Sequence, residues 1–402
     1  MARISNVEIL ELGEPGEKSS PWSSTILVLK LTTEDGIIGY GEAPTTLMTR
    51  PVFEEMKEVE RVFKGASVNN IKANVREYYK HSFYLPVSME STAALSAFEI
   101  ASWDILGKEL GAPVYDLLGG KVRERARAYA NGWYDNCVTP EQFLRKAREI
   151  ERMGFDAVKF DPFGGNYDQI SSAGLKEARK IVGKLKEETN LDLLIEFHGR
   201  FSANSAIRAA EVLEDMEPFF MEEPVHPDQI EGLARLRGRT TARIALGERV
   251  LNKNLFLPYF VRDLVDIIQP DVTNVGGILE AREASSLAES FGIEVAYHNA
   301  FGPIQTAATL HLDLSVPNFV IQESFDKFWP GWKKSLVRSG YSIDKGHFTL
   351  SGKPGLGIDI DEKILEKYRT DQMESFNPNE PSWVVKGTYS PSSRNDRSHK
   401  KK

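Results

Sequence analysis

Eight short apolar runs, separated by longer amphipathic segments, constrain the fold of this chain more than any other feature. They begin near residue 126 and read ARAYANG, DAVKFD, DLLIEF, PFFMEEP, RIALGER, VDIIQPD, IEVAYHN and FVIQES. The segments between them have helical patterns, such as TPEQFLRKAREIERMG and ILEAREASSLAESFG. Repeated strand–helix units build a parallel sheet, and eight of them close into a barrel, so the pattern predicts an α/β fold of the TIM-barrel type.

Six successive runs end in an ionisable residue: Glu196, Glu222, Glu248, Asp271, His298 and Glu323. The intervals between these residues are 26, 26, 23, 27 and 25 residues, each the length of one strand, one helix and two short loops. Active sites of such barrels are built at the carboxyl ends of the strands. We therefore expect these side chains to contribute to one active site.

Three of the strand ends carry a glutamate: Glu196, Glu222 and Glu248. Bare carboxylates in a low-dielectric pocket are unfavourable, so a positive charge must neutralise them. Mg²⁺ fits this role, because it binds a few carboxylates and leaves its other positions to water or to an anionic substrate. The alternative is that each acid pairs with a basic neighbour, such as Arg200 or Arg249, or caps the next helix.

Two details narrow the predicted metal site. In MEEP, successive strand residues point to opposite sides, so only one of Glu222 and Glu223 faces the barrel axis, and we expect Glu222. The chain has one cysteine, Cys137, which excludes an intrachain disulfide and a thiolate metal cluster. The metal ligands are therefore oxygen or imidazole groups.

Two histidines are candidates for proton transfer. His298 ends the seventh strand beside Asp271 on the sixth, and a neighbouring carboxylate fixes the tautomer of an imidazole and supports its protonated form, as a general base requires. The alternative for His298 is a structural histidine. His198 follows Glu196 by two residues and lies on the same side of the strand, where it can protonate a leaving oxygen. The alternative for His198 is a further metal ligand.

The second strand ends in VKFDPFG, where Lys159 and Asp161 share one face. Lys159 is expected to neutralise a substrate carboxylate or enediolate, and Asp161 to hold that lysine or a sugar hydroxyl. The alternative is a salt-bridged pair without a catalytic role. Glu323, at the eighth strand, is expected to be a hydrogen-bond partner of the developing enediolate.

The flanking segments predict further structure. Alternating segments at residues 2–13, 24–33 and 37–41 predict strands, with a hairpin turn at 34–36, and STAALSAFEIASWDILGKELG (91–111) predicts a helix with a Ser/Thr start and a Gly stop. After the barrel, YSIDKGHFTLSGKPGLGI predicts a hairpin and IDEKILEKYR a helix that returns to the first domain. The predicted division is an α+β domain (1–125), a barrel (126–338), a C-terminal segment (339–386) and a disordered basic tail (387–402).

Composition excludes several classes of function. The net charge of −8 gives nonspecific nucleic-acid binding no electrostatic basis. No apolar run approaches the roughly 18 residues of a membrane span, and the opening MARISNVEILEL lacks the pattern of a signal peptide, which predicts a cytoplasmic protein.

The motif NVGG (274–277) precedes a predicted helix. Phosphate binding is one interpretation of this motif, and a turn that starts the helix is the other.

The sequence resembles the enolase superfamily in its mandelate racemase branch, and within it the archaeal gluconate dehydratases. The resemblance covers nearly the whole chain through YGEA, LLGGK, ANGWY, CVTPEQF, KFDPFG, EFHGRF, MEEPVH, ALGER, IQPDVTNVGG, HNAFG and WVVKGT. It implies a modified (β/α)7β TIM-like barrel with an N-terminal α+β capping domain, whose loops near Trp22 and residues 45–51 shape the substrate pocket. By analogy, it also implies a homo-oligomer.

The resemblance implies a specific reaction. Mg²⁺ on Glu196, Glu222 and Glu248 would bind a sugar acid, the pair of His298 and Asp271 would remove the proton next to its carboxylate, and His198 would protonate the departing 3-hydroxyl. The enol would then tautomerise to a 2-keto-3-deoxy sugar acid. Glu323 matches the family's acid on the last strand.

One departure from the branch bears on the reaction. Its racemases carry Lys-x-Lys on the second strand, whereas this chain has Lys159 and Asp161. A racemase needs a base on each side of the substrate, whereas a base on one side and an acid at the leaving group favour elimination. The role of Asp161 is left open by this departure.

The expected activity is an aldonate dehydratase acting on D-gluconate, with D-galactonate as a further substrate. Alternatives are a dehydratase of xylonate or an aldarate, a metal-dependent hydrolase on the same barrel, and a noncatalytic sugar-acid binder.

Overall fold

The structure is a computed structural model that describes residues 2–14, 25–44, 49–81 and 87–371. Trp22, residues 45–48, the WVVKGT segment and the basic tail 387–402 lie outside the described residues. Within the described ranges, no helix is both long enough and apolar enough to cross a membrane. The described residues separate into two compact units, one from the described parts of 2–127, 247–257 and 268–371, the other from 128–246 and 258–267.

The first unit begins with an antiparallel sheet and a group of helices. Its elements are β1 (Ile4–Gly13), β2 (Thr25–Thr33), β3 (Ile38–Ala43), α1 (Thr49–Phe63), a 3₁₀ turn (Val68–Asn70), α2 (Ile71–His81), α3 (Met89–Leu110) and α4 (Val114–Leu117). The strands pair in the order β1-β2-β3. The predicted hairpin turn is confirmed, because Gly36 donates its N–H to Thr33 O and has the positive φ of 81° that the turn requires.

Helix α3 is confirmed and is capped at both ends. Ser88 and Ser91 form a reciprocal capping box, so the helix starts slightly before the predicted position, and Gly111 ends it in the left-handed conformation. The helix packs closely on β3, since a Cβ at Gly41 would lie 1.9 Å from the carbonyl oxygen of Ala97. The apolar core of this region is therefore built directly between the sheet and α3.

The second unit contains the repeated strand–helix pattern. Its elements are β4 (Ala126–Ala130), α5 (Pro140–Arg152), β5 (Ala157–Phe160), α6 (Ser172–Glu188), β6 (Asp192–Glu196), α7 (Ala203–Leu213), a 3₁₀ turn (Glu214–Met216), β7 (Phe220–Glu222), α8 (Ile230–Arg237) and β8 (Ile244–Leu246). Every adjacent pair from β4 to β8 is parallel. The predicted βα repetition is confirmed here.

The remaining elements complete the chain as far as the structure describes it. They are α9 (Lys253–Phe260), β9 (Ile267–Ile268), α10 (Ile278–Glu289), β10 (Glu294–Val295), α11 (Pro303–Ser315), β11 (Gln322–Ser324), α12 (Gly331–Leu336), β12 (Val337–Ser339), β13 (Tyr341–Asp344), β14 (His347–Leu350), β15 (Asp359–Ile360) and α13 (Glu362–Lys367). The predicted hairpin is β13–β14. The chain then returns to β1, where Gly13 donates its N–H to Tyr368 O and Thr370 donates to Glu11 O. The predicted domain boundaries remain a prediction.

The NVGG segment forms a turn that starts α10. Gly276 and Gly277 both have positive φ, and Glu99 of α3 accepts hydrogen bonds from the backbone N–H groups of Ile278 and Leu279. Burial raises the pKa of Glu99 to about 7, even though these N–H groups and the Trp103 indole stabilise its charged form. A carboxylate of the protein therefore occupies the helix start, which favours the turn interpretation over phosphate binding.

Candidate functional site

The second unit holds two of the predicted metal ligands side by side. Glu196 and Glu222 are register partners on β6 and β7, and both are buried. The buried Lys159 on β5 donates to the two carboxylate oxygens of Glu222 at 2.7 and 2.8 Å, and its Nζ lies 3.3 Å from Oε2 of Glu196. One ammonium thus neutralises part of the charge of two carboxylates. We call these three residues the acid–lysine cluster.

The chemistry of this cluster fits a hard cation. Glu196 and Glu222 supply carboxylate oxygens, the ligand type that Mg²⁺ prefers, and two carboxylates with one ammonium leave an excess negative charge. Among the described residues, no group of three or more His, Cys, Asp or Glu side chains is arranged to hold a metal ion. The set of three ligands therefore remains a prediction.

Asp161 pairs with His198 and Arg200 and not with Lys159. Its Oδ2 lies 2.9 Å from Nδ1 of His198 and accepts a 2.6 Å hydrogen bond from Nη1 of Arg200. Its Oδ1 accepts from the backbone N–H of Phe163 at 2.9 Å and from Nη2 of Arg200 at 3.1 Å. Burial alone would raise the pKa of Asp161, but Arg200 and His198 outweigh it and lower that pKa below its usual value. Asp161 is therefore an ionised anchor for His198.

The backbone also fixes His198. This residue has a φ of 53°, in the left-handed region that a side chain other than Gly rarely adopts. Its N–H donates to Oε1 of Glu196 at 2.6 Å, which ties the loop to the acid–lysine cluster. Strained backbone of this kind persists where the surroundings hold it and is common at functional sites. The backbone after β7 is strained in the same way. Glu223, which follows the Lys159 partner Glu222, has a positive φ of 41°.

Removal of the charge on Asp161 tests its anchoring role. We expect Asp161→Asn to lower kcat roughly 10- to 100-fold, because a neutral amide replaces the charged acceptor that orients the imidazole. The measurement is steady-state kinetics on the variant, with Asp168→Asn, in the loop after β5, as the control. A kcat equal to that of the wild type would show that His198 needs no anchor.

The first unit gathers three more of the predicted residues around His298. Nδ1 of His298 lies 2.6 Å from Oδ2 of Asp271, and its Nε2 lies 3.2 Å from Oε2 of Glu248 and 3.8 Å from Oε2 of Glu323. Because a carboxylate can only accept, the Asp271 contact places a proton on Nδ1. The ring thus presents Nε2 toward the other two acids. We call these residues the His298 cluster.

The charges in this cluster favour the protonated imidazole. Burial alone would lower the pKa of His298, but Glu248, Glu323 and Asp271 together raise it to about 10. Glu323 is itself held in place, since its Oε2 accepts the backbone N–H of Asn299 at 2.9 Å. The three carboxylates therefore stabilise the imidazolium form of His298. The role of His298 as a general base remains a prediction.

Sequence reasoning did not connect three buried residues with the groups that they support. Arg200 holds Asp161, Gln305 donates from Nε2 to Oδ2 of Asp271 at 2.8 Å, and Thr273 donates to Oδ1 of Asp271 through its N–H at 2.7 Å. The short spacing from Asp271 to Thr273 and from His198 to Arg200 was the only available signal. Gln305 lies on a helix far along the chain, where no pattern connects it to Asp271.

Family models match most of the chain. Residues 19–119 match the mandelate racemase/muconate lactonizing enzyme N-terminal domain, and residues 142–364 match the enolase C-terminal domain-like family. The chain belongs to the mandelate racemase/muconate lactonizing enzyme family. The predicted membership of the enolase superfamily is confirmed.

Relatives and solved structures of this family agree. A D-gluconate/D-galactonate dehydratase of Picrophilus torridus is 58% identical over 97% of this chain and 100% of its own length. A D-gluconate dehydratase of Thermoproteus tenax is 42% identical over 97% of this chain and 78% of its own length. A crystal structure of a mandelate racemase/muconate lactonizing enzyme from Sulfitobacter sp. is 27% identical, with a TM-score of 0.87 over 95% of this chain and 100% of that chain.

These matches confirm two predictions for this member of the mandelate racemase/muconate lactonizing enzyme family. The fold is the predicted α/β TIM-like barrel with an N-terminal capping domain. The chain is an enzyme that groups with hydro-lyases, since its full-length relatives are dehydratases. Dehydratases of the enolase superfamily depend on a metal ion, and the sugar-acid relatives indicate a small-molecule substrate.

Proposed function

We propose that this protein is a Mg²⁺-dependent dehydratase that converts D-gluconate to 2-keto-3-deoxygluconate, with D-galactonate as a second substrate. The observation that carries the proposal is that both candidate histidines are oriented through Nδ1 by a buried aspartate, His298 by Asp271 and His198 by Asp161. An elimination needs one group to remove a proton and another to donate one. The dehydratase relatives support the same reaction.

His298 is the proposed base. Its Nε2 removes the C2 proton, the C2–H electron pair moves toward the carboxylate to form a C1–C2 double bond of the enediolate, and Asp271 stabilises the imidazolium through the 2.6 Å contact at Nδ1. Glu323, beside the same ring, is proposed to hydrogen-bond the enediolate oxygen. Removal of a weakly acidic proton next to a carboxylate requires such stabilisation of the developing charge.

His198 is the proposed acid. It gives a proton to the 3-hydroxyl, the electron pair of the enediolate forms a C2–C3 double bond as the C3–O bond breaks, and water leaves. The resulting enol tautomerises to the 2-keto-3-deoxy acid. The position of His198 supports this role, because Asp161, Arg200 and a bond from its own backbone N–H to Glu196 hold it in a strained conformation.

Glu196, Glu222 and Glu248 are the proposed ligands of Mg²⁺. Bound there, the cation would offset the negative charge that develops on the substrate carboxylate. Lys159 is proposed to contribute in the same direction, since its buried ammonium already contacts two of these acids. The donor chemistry fits: the three proposed ligands are hard oxygen donors.

The environment of Asp161 favours elimination over racemisation. A racemase needs a base on each side of the substrate, but Asp161 is buried, pairs with Arg200 and has a lowered pKa. Such a carboxylate is a weak base. A hydrolase on the same barrel would cleave an ester or lactone and would leave the C2 proton in place, so the fate of that proton separates the two activities.

Incubation with a panel of sugar acids tests the proposal. D-Gluconate, D-galactonate, D-xylonate and an aldarate are incubated with the enzyme and Mg²⁺, and 2-keto-3-deoxy acids are measured. We expect product from gluconate and galactonate and none when a chelator replaces Mg²⁺. Product from xylonate or the aldarate alone would contradict the substrate assignment, and ester or lactone cleavage alone would contradict the reaction.

His198→Asn separates the two proton transfers. We expect this variant to lose dehydration by roughly 100-fold or more, because no group protonates the leaving hydroxyl. It should still exchange the C2 proton of gluconate with D₂O, since His298 remains. NMR spectroscopy of the substrate pool measures both rates, and loss of exchange and dehydration in equal measure would argue against the assignment of the acid.

A further inference from the structure

The N-terminal sheet is connected to the His298 cluster through the start of helix α11. We propose that Glu42 and Gln305 are positioning residues that hold Asp271, and through it His298, in the orientation needed to remove the C2 proton. This inference rests on the proposed function and extends it to residues that do not contact the reacting atoms. All of the residues involved belong to the first unit.

Gln305 uses its whole side chain to fix Asp271. Its Nε2 donates to Oδ2 of Asp271 at 2.8 Å, the same oxygen that lies 2.6 Å from Nδ1 of His298. Its Oε1 accepts the backbone N–H of Phe301 at 2.8 Å, which sets the direction of the amide. Because Gln305 is fully buried, water cannot replace either bond without entering the core. The amide therefore fixes where Oδ2 lies.

Glu42 fixes Gln305 in turn. Its carboxylate, on β3, accepts backbone N–H groups from Ile304 at 3.1 Å and from Gln305 at 3.2 Å, in the first turn of α11. A carboxylate at a helix N-terminus satisfies N–H groups that have no partner within the helix and is favoured by the helix dipole. Glu42 is fully buried, so it sets the position of the helix start and of the Gln305 backbone.

The fit between Glu42 and α11 is tight. A Cβ at Gly302 would lie 2.5 Å from Oε1 of Glu42, so the residue before the helix has to be glycine for the carboxylate to approach. Lys333, which is also buried, donates to Phe301 O at 2.8 Å. Burial raises the pKa of Glu42 to about 7, although Lys333 and the two N–H groups of α11 favour its charged form. These contacts connect a residue of the N-terminal family domain to the proposed base in three steps: Glu42 to Gln305, Gln305 to Asp271, and Asp271 to His298.

Gln305→Met tests the inference, because methionine keeps the length of the side chain and removes both hydrogen-bonding groups. We expect kcat for gluconate to fall roughly 10- to 100-fold while KM stays within about threefold. The rate of C2 proton loss in a single turnover, with enzyme in excess, should fall by the same factor. That rate reports directly on the proposed base. If Gln305 had a purely structural role, the folded fraction of the variant would lose the C2 proton at the wild-type rate.

Thr309→Val is the matched control. Thr309 is fully buried on the same helix, and its hydroxyl donates to Gln305 O at 2.9 Å, but it has no bond to Asp271. Its substitution should lower the melting temperature and leave the rate of C2 proton loss within about twofold of the wild type. The inference would be overturned if Gln305→Met and Thr309→Val lost that rate equally. It would also be overturned if the Gln305→Met rate stayed within about threefold of the wild type.

Glu42→Gln provides a second variant in case Gln305→Met does not fold. It keeps the shape of the side chain and weakens the bonds to the α11 start, so we expect a smaller loss of C2 proton removal, about 3- to 10-fold, again at nearly constant KM. An unchanged rate in this variant overturns the role of Glu42. Wild-type enzyme is measured first: if it does not dehydrate gluconate, the proposed function fails, whereas normal wild-type activity with unaffected variants rejects only the positioning role.

Discussion

His298→Asn is expected to lower kcat/KM for gluconate by about 10⁴-fold or more, the loss typical of removing a catalytic base. The physical reason is that an amide cannot accept the C2 proton, although its NH₂ group can still donate a hydrogen bond to Asp271 or Glu248. Steady-state kinetics on gluconate provide the measurement. Binding of Mg²⁺, measured by calorimetry, should survive, because the substituted residue is not a proposed ligand.

His226→Asn is the control for this variant. His226 is partly exposed and its Nδ1 lies 3.4 Å from Oδ2 of Asp228, which has no proposed role, so its substitution should leave kcat/KM unchanged. A His298→Asn variant that retains activity comparable to that of the wild type would show that the base has been assigned to the wrong residue.

Lys159→Met is expected to have the largest effect on stability. The substitution leaves Glu196 and Glu222 buried without the ammonium that contacts both, and loss of one partner of a buried ion pair destabilises a protein by roughly 3–5 kcal/mol. Urea denaturation in a chelating buffer measures the free energy of unfolding. Added Mg²⁺ should stabilise the variant more than the wild type, because the variant's carboxylates lack their ammonium partner.

Lys184→Met is the matched control for stability. Lys184 forms a partly exposed pair with Glu188 at 3.2 Å, so the change should alter the free energy of unfolding by about 1 kcal/mol or less. If the two variants lose the same small amount, Lys159 does not neutralise the acid pair. If Lys159→Met is destabilised but gains no more from Mg²⁺ than the wild type, these carboxylates are not the metal ligands.

The repeated pattern of the sequence was sufficient to predict the strands and the residues at their ends. Short apolar runs that alternate with longer amphipathic segments are typical of buried strands in a parallel sheet, and each of the eight runs contains a strand. The ionisable residues at the ends of these runs were predictable because active sites of such barrels lie at the carboxyl ends of the strands. Glu196 and Glu222, which are 26 residues apart, are register partners on the adjacent strands β6 and β7.

Side-chain partners were less predictable. Lys159 and Asp161 share a face of β5, yet Lys159 contacts the acids of the next two strands while Asp161 pairs with Arg200 and His198. Period two places two residues on one face, but it does not fix which neighbouring strand each contacts. The longer Lys159 side chain reaches further than Asp161, and that geometry follows only from the packed sheet.

The supporting residues could not be found from the sequence. Glu42 and Gln305 are separated by 263 residues, and each is an ordinary polar residue within its own element. Their relation depends on how α11 packs against β3, which is a property of the tertiary structure. The same holds for Glu99 at the start of α10, whose presence decides between a turn and an anion site at NVGG.

Proton NMR of D-gluconate in D₂O, with the enzyme and Mg²⁺, tests the central claim most directly. The signal of the C2 proton should disappear as 2-keto-3-deoxygluconate forms with deuterium at C3, and both changes should stop when a chelator removes the metal ion. Gluconate that keeps its C2 proton throughout, in the presence of folded enzyme and Mg²⁺, would contradict the claim.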